Sequence, residues 1–302
     1  MLSTHAGPGG VARPVILDGG MSNALEDRGH DLGDALWSAR LLRDAPDEVA
    51  AVHRAYFAAG AQVATTASYQ ASVEGFVRAG LDAGQARRLI SSSVRVARDV
   101  RDELADDGRI RGVAASVGPY GAVLADGSEY RGRYGRTAAQ LRDFHLPRLE
   151  LLAAAGPDLL AVETIPDADE AAVLVEALDG LGVPAWLSFS VAGDRTRAGQ
   201  PLAEAFAVAS GTDALVAVGV NCCAPADVAG AVATAAAVTG KPAVAYPNRG
   251  EDWHGRAGGW VGPGAFHPAD AVAWVAAGAA YVGGCCRVGP PDIAALADAL
   301  QG

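Results

Sequence analysis

The sequence predicts a (β/α)₈ barrel, and three observations carry that expectation. Eight short runs rich in Val, Ala and Leu recur along the 302 residues, each followed by a loop of Gly, Pro or polar side chains. Between them lie Ala-, Leu-, Arg- and Glu-rich segments with helical spacing. Apolar strands alternating with amphipathic helices describe a parallel sheet covered by helices, and eight such units in about 300 residues fit one barrel. Third, no G-x-G-x-x-G follows the first strand, which leaves the competing doubly wound open sheet without support.

Along the chain, PVILDG (14–19) predicts the first strand, and a long interval (19–45) separates it from a helix over 46–59. QVATTAS (62–68) is the second strand, with a helix over 83–105. RGVAASVG (111–118) is the third, followed by a long interval (118–136) and a helix over 137–155. DLLAVET (158–164) and VPAWLSFS (183–190) are the fourth and fifth, with helices over 168–180 and 202–210. ALVAVGVN (214–221) is the sixth, with a helix over 225–238. KPAVAYPN (241–248) and AAYVGG (279–284) complete the set, with an interval at 247–267 and helices over 269–277 and 290–300. In a barrel the long intervals are βα loops on the catalytic face, at the C-terminal ends of the strands. The sequence carries no evident linker, low-complexity tract or further repeat, so a single domain over 1–302 is expected, with its core at about 14–300.

Half of the residues are hydrophobic and 20% are charged, which excludes a mainly disordered chain. Asp, Arg or Gly interrupts every long apolar stretch before the ~20 residues that a spanning helix needs. The opening MLSTHAGPGGVARP lacks a basic segment followed by an apolar one, so no secretory signal is expected. The expected location is the cytoplasm, where a cysteine pattern points to metal or catalysis before disulfides. A net charge of −11 argues against nucleic-acid backbones as partners.

All four cysteines fall at the C-terminal ends of two of the apolar runs, as Asn221-Cys222-Cys223 and Gly283-Gly284-Cys285-Cys286. A free cysteine is ordinarily a small buried hydrophobe, but two vicinal pairs at strand ends suggest a site that needs thiolates, with zinc the leading candidate. Cys222 and Cys285 end the sixth and eighth strands, whose backbones lie about 10 Å apart along the sheet, close enough for both thiols to meet at one ion. Neighbouring residues of a regular strand face opposite ways, so Cys285 and Cys286 converge only if Gly283 and Gly284 let the backbone leave extended geometry. Three thiolates would leave a fourth tetrahedral position open, the catalytic arrangement. Neither pair has the C-x-x-C spacing of a thioredoxin-like redox site.

The chain resembles the zinc-dependent homocysteine S-methyltransferases, most closely the branch that uses S-methylmethionine. The resemblance runs from about 14 to 300 through LDGGMSNALEDRG, DALWSARLL, AGAQVATTASYQAS, SVGPYGAVLADGSEYRGRY, VETIPD, GVNCCAP, YPNRGE and GGCCRVGPPDI. It implies a (β/α)₈ barrel with Cys222, Cys285 and Cys286 as zinc ligands and no ligand role for Cys223. It also implies that Asp18, Gly19 and Glu163 contact the amino-acid part of homocysteine, with Tyr69 and Asn221 counted among the substrate-binding residues. Tyr69 matches a tyrosine that can take the metal's open position in relatives when substrate is absent. Read without the resemblance, Glu163 could equally be an acid at a helix N-terminus and Asp18 an ordinary turn residue. His254 reads as an exposed loop histidine.

The implied reaction moves a methyl group from a sulfonium, S-methylmethionine or S-adenosylmethionine, to a homocysteine thiolate held on zinc, giving methionine. Tyr120, Tyr130, Tyr134 and Trp253 are candidates for cation–π contact with the donor. A betaine-type methyltransferase is the main alternative. A zinc hydrolase lacks its H-E-x-x-H or H-x-H, and a purely structural zinc would need Cys223 as a fourth ligand.

Overall fold

The computed structural model describes residues 13–33, 38–254 and 259–301, with only the backbone of 252–254 and 259–260. Its centre is an eight-stranded parallel sheet. The strands are β1 (Val15–Ile16), β2 (Val63–Thr65), β3 (Gly112–Val117), β4 (Leu159–Ile165), β5 (Ala185–Phe189), β6 (Leu215–Asn221), β7 (Ala243–Tyr246) and β8 (Ala279–Val282). Each of β2 to β8 pairs with its neighbour in sequence, and β1 pairs with β8 through Val15↔Tyr281 and Ile16↔Val282. A parallel bridge between Leu17 and Val63 joins β1 to β2 and closes the ring. The predicted (β/α)₈ barrel is therefore the fold.

All eight strands lie where the apolar runs placed them, and most are shorter at their C-terminal ends. There the chain turns inward to build the catalytic face. β1 keeps two residues because the chain turns at once into Gly19 and Gly20. A Cβ on Gly19 would lie 2.3 Å from the Val288 carbonyl oxygen, and one on Gly20 would lie 2.8 Å from that of Cys285. The long predicted helices are present as Pro46–Ala58, Ala83–Glu103, Ala138–Ala154, Ala168–Leu178, Pro225–Thr239 and Pro290–Gln301. Asp82 and Thr137 each start one through a capping box with Gln85 and Gln140.

The long intervals hold short helices that the sequence reading left as loops: Met21–Glu26, Ser38–Asp44 and Tyr120–Leu124. Among the described residues, no helix is long and apolar enough to cross a membrane.

The core has two layers. Small side chains from β3, β4 and β6 (Ala114, Ala161, Ala217) share the barrel interior with Trp186 of β5 and Tyr246 of β7. The fully buried Trp186 ring fills space that alanines leave, as close packing of the lumen demands. Its indole N–H donates to the Tyr246 hydroxyl at 2.9 Å, so the one polar atom carried inside is satisfied. This plug is the floor of the site above it.

Candidate metal and substrate site

Three of the four thiols converge. Cys222 follows β6 in the left-handed region, with φ +50, and its N–H donates to the Tyr246 carbonyl at 3.2 Å. That turn sends Cys222 to the cavity wall and leaves Cys223 in the apolar shell, wholly buried. On the other side the chain leaves β8 at Gly283, and the Cys285 N–H donates to the Pro247 carbonyl at 2.8 Å. The Asn248 side-chain oxygen accepts from the Cys286 N–H at 3.2 Å.

Gly283 and Gly284 act by close packing and not by a left-handed backbone. A Cβ on Gly283 would meet Leu17 Cβ at 2.6 Å, and one on Gly284 would meet the Val288 side chain at 2.1 Å. The left-handed residue of this turn is Arg287, with φ +69.

The Cys222 and Cys286 sulfurs lie 3.9 Å apart, those of Cys285 and Cys286 4.0 Å, and all three sulfurs are within 4.8 Å of one another. Tetrahedral thiolates at Zn–S ≈ 2.3 Å would be separated by about 3.8 Å, so the spacing suits that ion. Hydrogen bonds from Cys285 and Cys286 hold Cys222 well below the usual thiol range, and the same contacts push Cys285 and Cys286 up. Three thiolates this close together would need a cation among them.

The same cavity, of about 120 Å³, is also lined by Asp18, Gly19, Tyr69 and Glu163. Thr65 donates to Asp18 twice, from its N–H at 2.6 Å and its hydroxyl at 2.8 Å. The Glu163 carboxylate accepts from the Ser116 hydroxyl and hydrogen-bonds Tyr246. Burial pushes both carboxyls up to about 7 despite these bonds, and their mutual repulsion adds to the shift of Asp18. Neither carboxylate has a cationic partner within ion-pair distance among the described residues.

Of the residues expected at the site, only Asn221 is absent from the cavity wall. It is fully buried behind it. Its side-chain oxygen accepts from the Thr164 N–H at 2.7 Å and the Ser188 hydroxyl at 2.8 Å, and its amide donates to the Thr164 hydroxyl at 2.7 Å. These bonds hold Thr164, a β-branched residue at φ +59, in a conformation such residues avoid. Asn221 therefore ties the ends of β4, β5 and β6 together directly beneath Cys222.

Tyr69 reaches the cavity from the loop after β2, and its hydroxyl hydrogen-bonds the Thr164 side chain. Beneath it lies the buried guanidinium of Arg148, which donates to the carbonyls of Gly118 at 2.9 Å and Ser68 at 2.8 Å, and to that of Tyr69. Of the candidate loop aromatics, Tyr130 lines the cavity, its hydroxyl 3.9 Å from Cys222 Sγ. Tyr134 instead donates to Glu170 at 3.1 Å, and Tyr120 packs edge-on against Phe144 at 5.0 Å, so both hold the loop. The Trp253 and His254 side chains lie outside the described residues.

The family model for homocysteine S-methyltransferase matches residues 15–300. The chain belongs to the homocysteine S-methyltransferase family. It is 45% identical to homocysteine S-methyltransferase 4 of Zea mays, over 95% of this chain and 89% of that one. It is 43% identical to the Escherichia coli homocysteine S-methyltransferase, over 93% and 94% respectively. The crystal structure of the homocysteine methyltransferase MmuM from Escherichia coli in its metallated form superposes with a TM-score of 0.86 at 41% identity, covering 96% of each chain. As a homocysteine S-methyltransferase, the chain is a methyltransferase acting on a thiol, which accounts for a cavity lined by both thiols and carboxylates.

Sequence reasoning passed over several residues of this homocysteine S-methyltransferase site: Thr65, Ser116, Thr164, Tyr246 and Arg148. Ser116 and Tyr246 did leave a signal, being polar side chains inside otherwise apolar strands. Arg148 left none, because on an amphipathic helix it reads as one more surface arginine.

Proposed function

We propose that this enzyme transfers a methyl group from a sulfonium donor, S-methylmethionine first, to homocysteine held at Cys222, Cys285 and Cys286 through zinc. The observation that carries the reading is the thiol triangle at tetrahedral spacing facing two buried carboxylates that lack a cation. A bound zinc ion would replace the acceptor thiol's proton and keep its sulfur nucleophilic at neutral pH. Asp18 and Glu163 take the substrate ammonium, whose charge restores their ionised form. Fixing both ends of homocysteine leaves its sulfur one direction from which to attack. The acceptor S–CH₃ bond forms as the donor S–CH₃ bond breaks. The donor leaves as a neutral thioether carrying the electron pair, so no general acid is needed. The whole of residues 14–300 serves as one homocysteine-binding domain, and free thiols at its centre suit the reducing cytoplasm.

The test is methionine formation by the zinc-loaded protein with homocysteine and each donor supplied separately, alongside the zinc content of Cys285→Ala. S-methylmethionine should give the highest kcat/KM, and Cys285→Ala should lose most of its metal. A higher kcat/KM with betaine or S-adenosylmethionine overturns the donor, and full zinc content in Cys285→Ala overturns the ligand set.

A further inference from the structure

The loop after β3 carries a third buried acid to which the proposed reaction has so far given no part. Ser128–Tyr130 form one 3₁₀ turn, which presents Tyr130 to Cys222 and buries the neighbouring Glu129, 2% exposed. The turn is seated on Gly121, where a Cβ would lie 2.6 Å from the Glu129 nitrogen. It is fastened at its flanks by two acids after β4. Glu170 accepts from the Tyr120 N–H at 2.6 Å and the Tyr134 hydroxyl at 3.1 Å, and Asp167 accepts from the Arg133 N–H at 3.1 Å. Asp18 and Glu163 have protein hydrogen bonds to their carboxylates, whereas Glu129 Oε2 is buried with no partner. A buried carboxylate oxygen left unpaired on an otherwise well-fastened turn requires an explanation.

We propose that Glu129 supplies the negative charge that selects the cationic sulfonium of the methyl donor, acting from its place beside Tyr130. This rests on the sulfonium reading above. That reaction brings three cations to the cavity, the ammonium of each amino acid and the donor's sulfonium, and of these only the sulfonium must reach the acceptor sulfur beside Cys222. Asp18 and Glu163, at the ends of β1 and β4, line the cavity and take the acceptor's ammonium in that reading. Glu129 adjoins Tyr130, whose hydroxyl is 3.9 Å from Cys222 Sγ. Burial, with the negative charge at Cys222 adding to it, raises the Glu129 carboxyl to about 7, so a cation arriving in the cavity restores its ionised form. Its own charge reaches both Tyr69 and Tyr130. A charge in a dry site needs no direct contact, because the low dielectric leaves it little screened. The preference falls on the charged donor over the neutral thioether product, so it also assists product release.

The experiment compares zinc-loaded wild type, Glu129→Gln and Glu129→Asp. It measures KM for S-methylmethionine, KM for dimethylsulfonioacetate (a sulfonium without an ammonium), and Ki for methionine competing with S-methylmethionine. Glu129→Gln should raise both sulfonium KM values roughly 10- to 100-fold, with the methionine Ki and the homocysteine KM unchanged. Glu129→Asp, which keeps the charge, should recover most of the loss and shows that the site is intact. Equal weakening of methionine and S-methylmethionine would assign Glu129 to the ammonium and overturn the proposal, as would unchanged sulfonium KM values. A wild-type enzyme that turns over neither sulfonium overturns the donor reading itself, and this inference with it.

Discussion

Two residues at the rim of the barrel, Thr164 and Cys222, hold left-handed backbones without being glycine. Each such conformation costs about 1–3 kcal/mol and persists only where its surroundings impose it. Asn221 imposes it on Thr164 through its N–H and its hydroxyl, while occupying the position before Cys222. Asn221→Ala should therefore weaken metal binding about 10- to 100-fold, as loss of a supporting hydrogen bond commonly does. Chelator competition measures this, and an unchanged affinity would reduce Asn221 to core packing. For Glu163, replacement by Gln would remove the proposed charge-assisted contact with the substrate ammonium, worth about 1.5–3 kcal/mol. The homocysteine kcat/KM should fall roughly 10- to 100-fold with zinc content intact. The same variant carries a pH signature. Burial raises the Glu163 carboxyl to about 7 in the folded state, above its value in an unfolded chain, so the native protein holds the extra proton. The stability this contributes is complete below the unfolded pKa and is lost as pH rises through about 7. In urea unfolding of the metal-free proteins, Glu163→Gln should therefore gain stability relative to wild type between pH 5 and pH 8. A difference that does not vary with pH would mean the carboxylate is paired in solution.

The β3 loop is the element that departs furthest from what the sequence made visible. Its residues 118–136 were legible only as a long interval on the catalytic face, yet they form the helix Tyr120–Leu124 and the turn Ser128–Tyr130. Five residues are too few to display a helical period, and the carboxylates that fix this loop, Asp167 and Glu170, come from the segment after β4. The strands were legible because each is a continuous apolar run buried on both faces. The thiols were legible because cysteine pairs at strand ends are conspicuous. Arg148 was not, since its significance lies in three carbonyls from two other loops, which no local pattern encodes. Gly118 shows how tightly these loops interlock, because a Cβ there would sit 2.5 Å from the Tyr69 ring. Gly118→Ala should shift Tyr69 and lower kcat about tenfold or more, since small displacements in a preorganised site are costly. Zinc content and unfolding midpoint should change little by comparison. A variant with normal kcat would show that the Tyr69 position is not critical.

At the scale of the whole molecule, the barrel places the first and last strands side by side. The acceptor cavity lies across that seam, with Asp18 and Gly19 from one end of the chain against Gly284, Cys285 and Cys286 from the other. The Gly284 N–H donates to the Asp18 carbonyl at 3.0 Å, and Tyr56 sets its hydroxyl between the carbonyls of Gly20 and Val288, at 3.0 and 3.1 Å. Strands β2 to β7 each meet the next strand along the chain, so they can assemble from contacts between sequence neighbours. The β1–β8 ladder requires the whole chain to be in place, and such distant pairings form late. An intermediate with β2 to β8 in place would then hold Cys222 and Glu163 at the rim without Asp18, and with the turn that carries Cys285 and Cys286 not yet seated against β1. Turnover thus reports ring closure and not merely secondary structure. In refolding from urea, far-ultraviolet circular dichroism should recover before methyl transfer does. Addition of zinc during the lag should not shorten it, because the β1–β8 seam that seats Cys285 and Cys286 is not yet closed. Recovery of both signals in one phase would mean that the ring closes as it forms, and that this enzyme has no half-built state for a chaperone or protease to recognise.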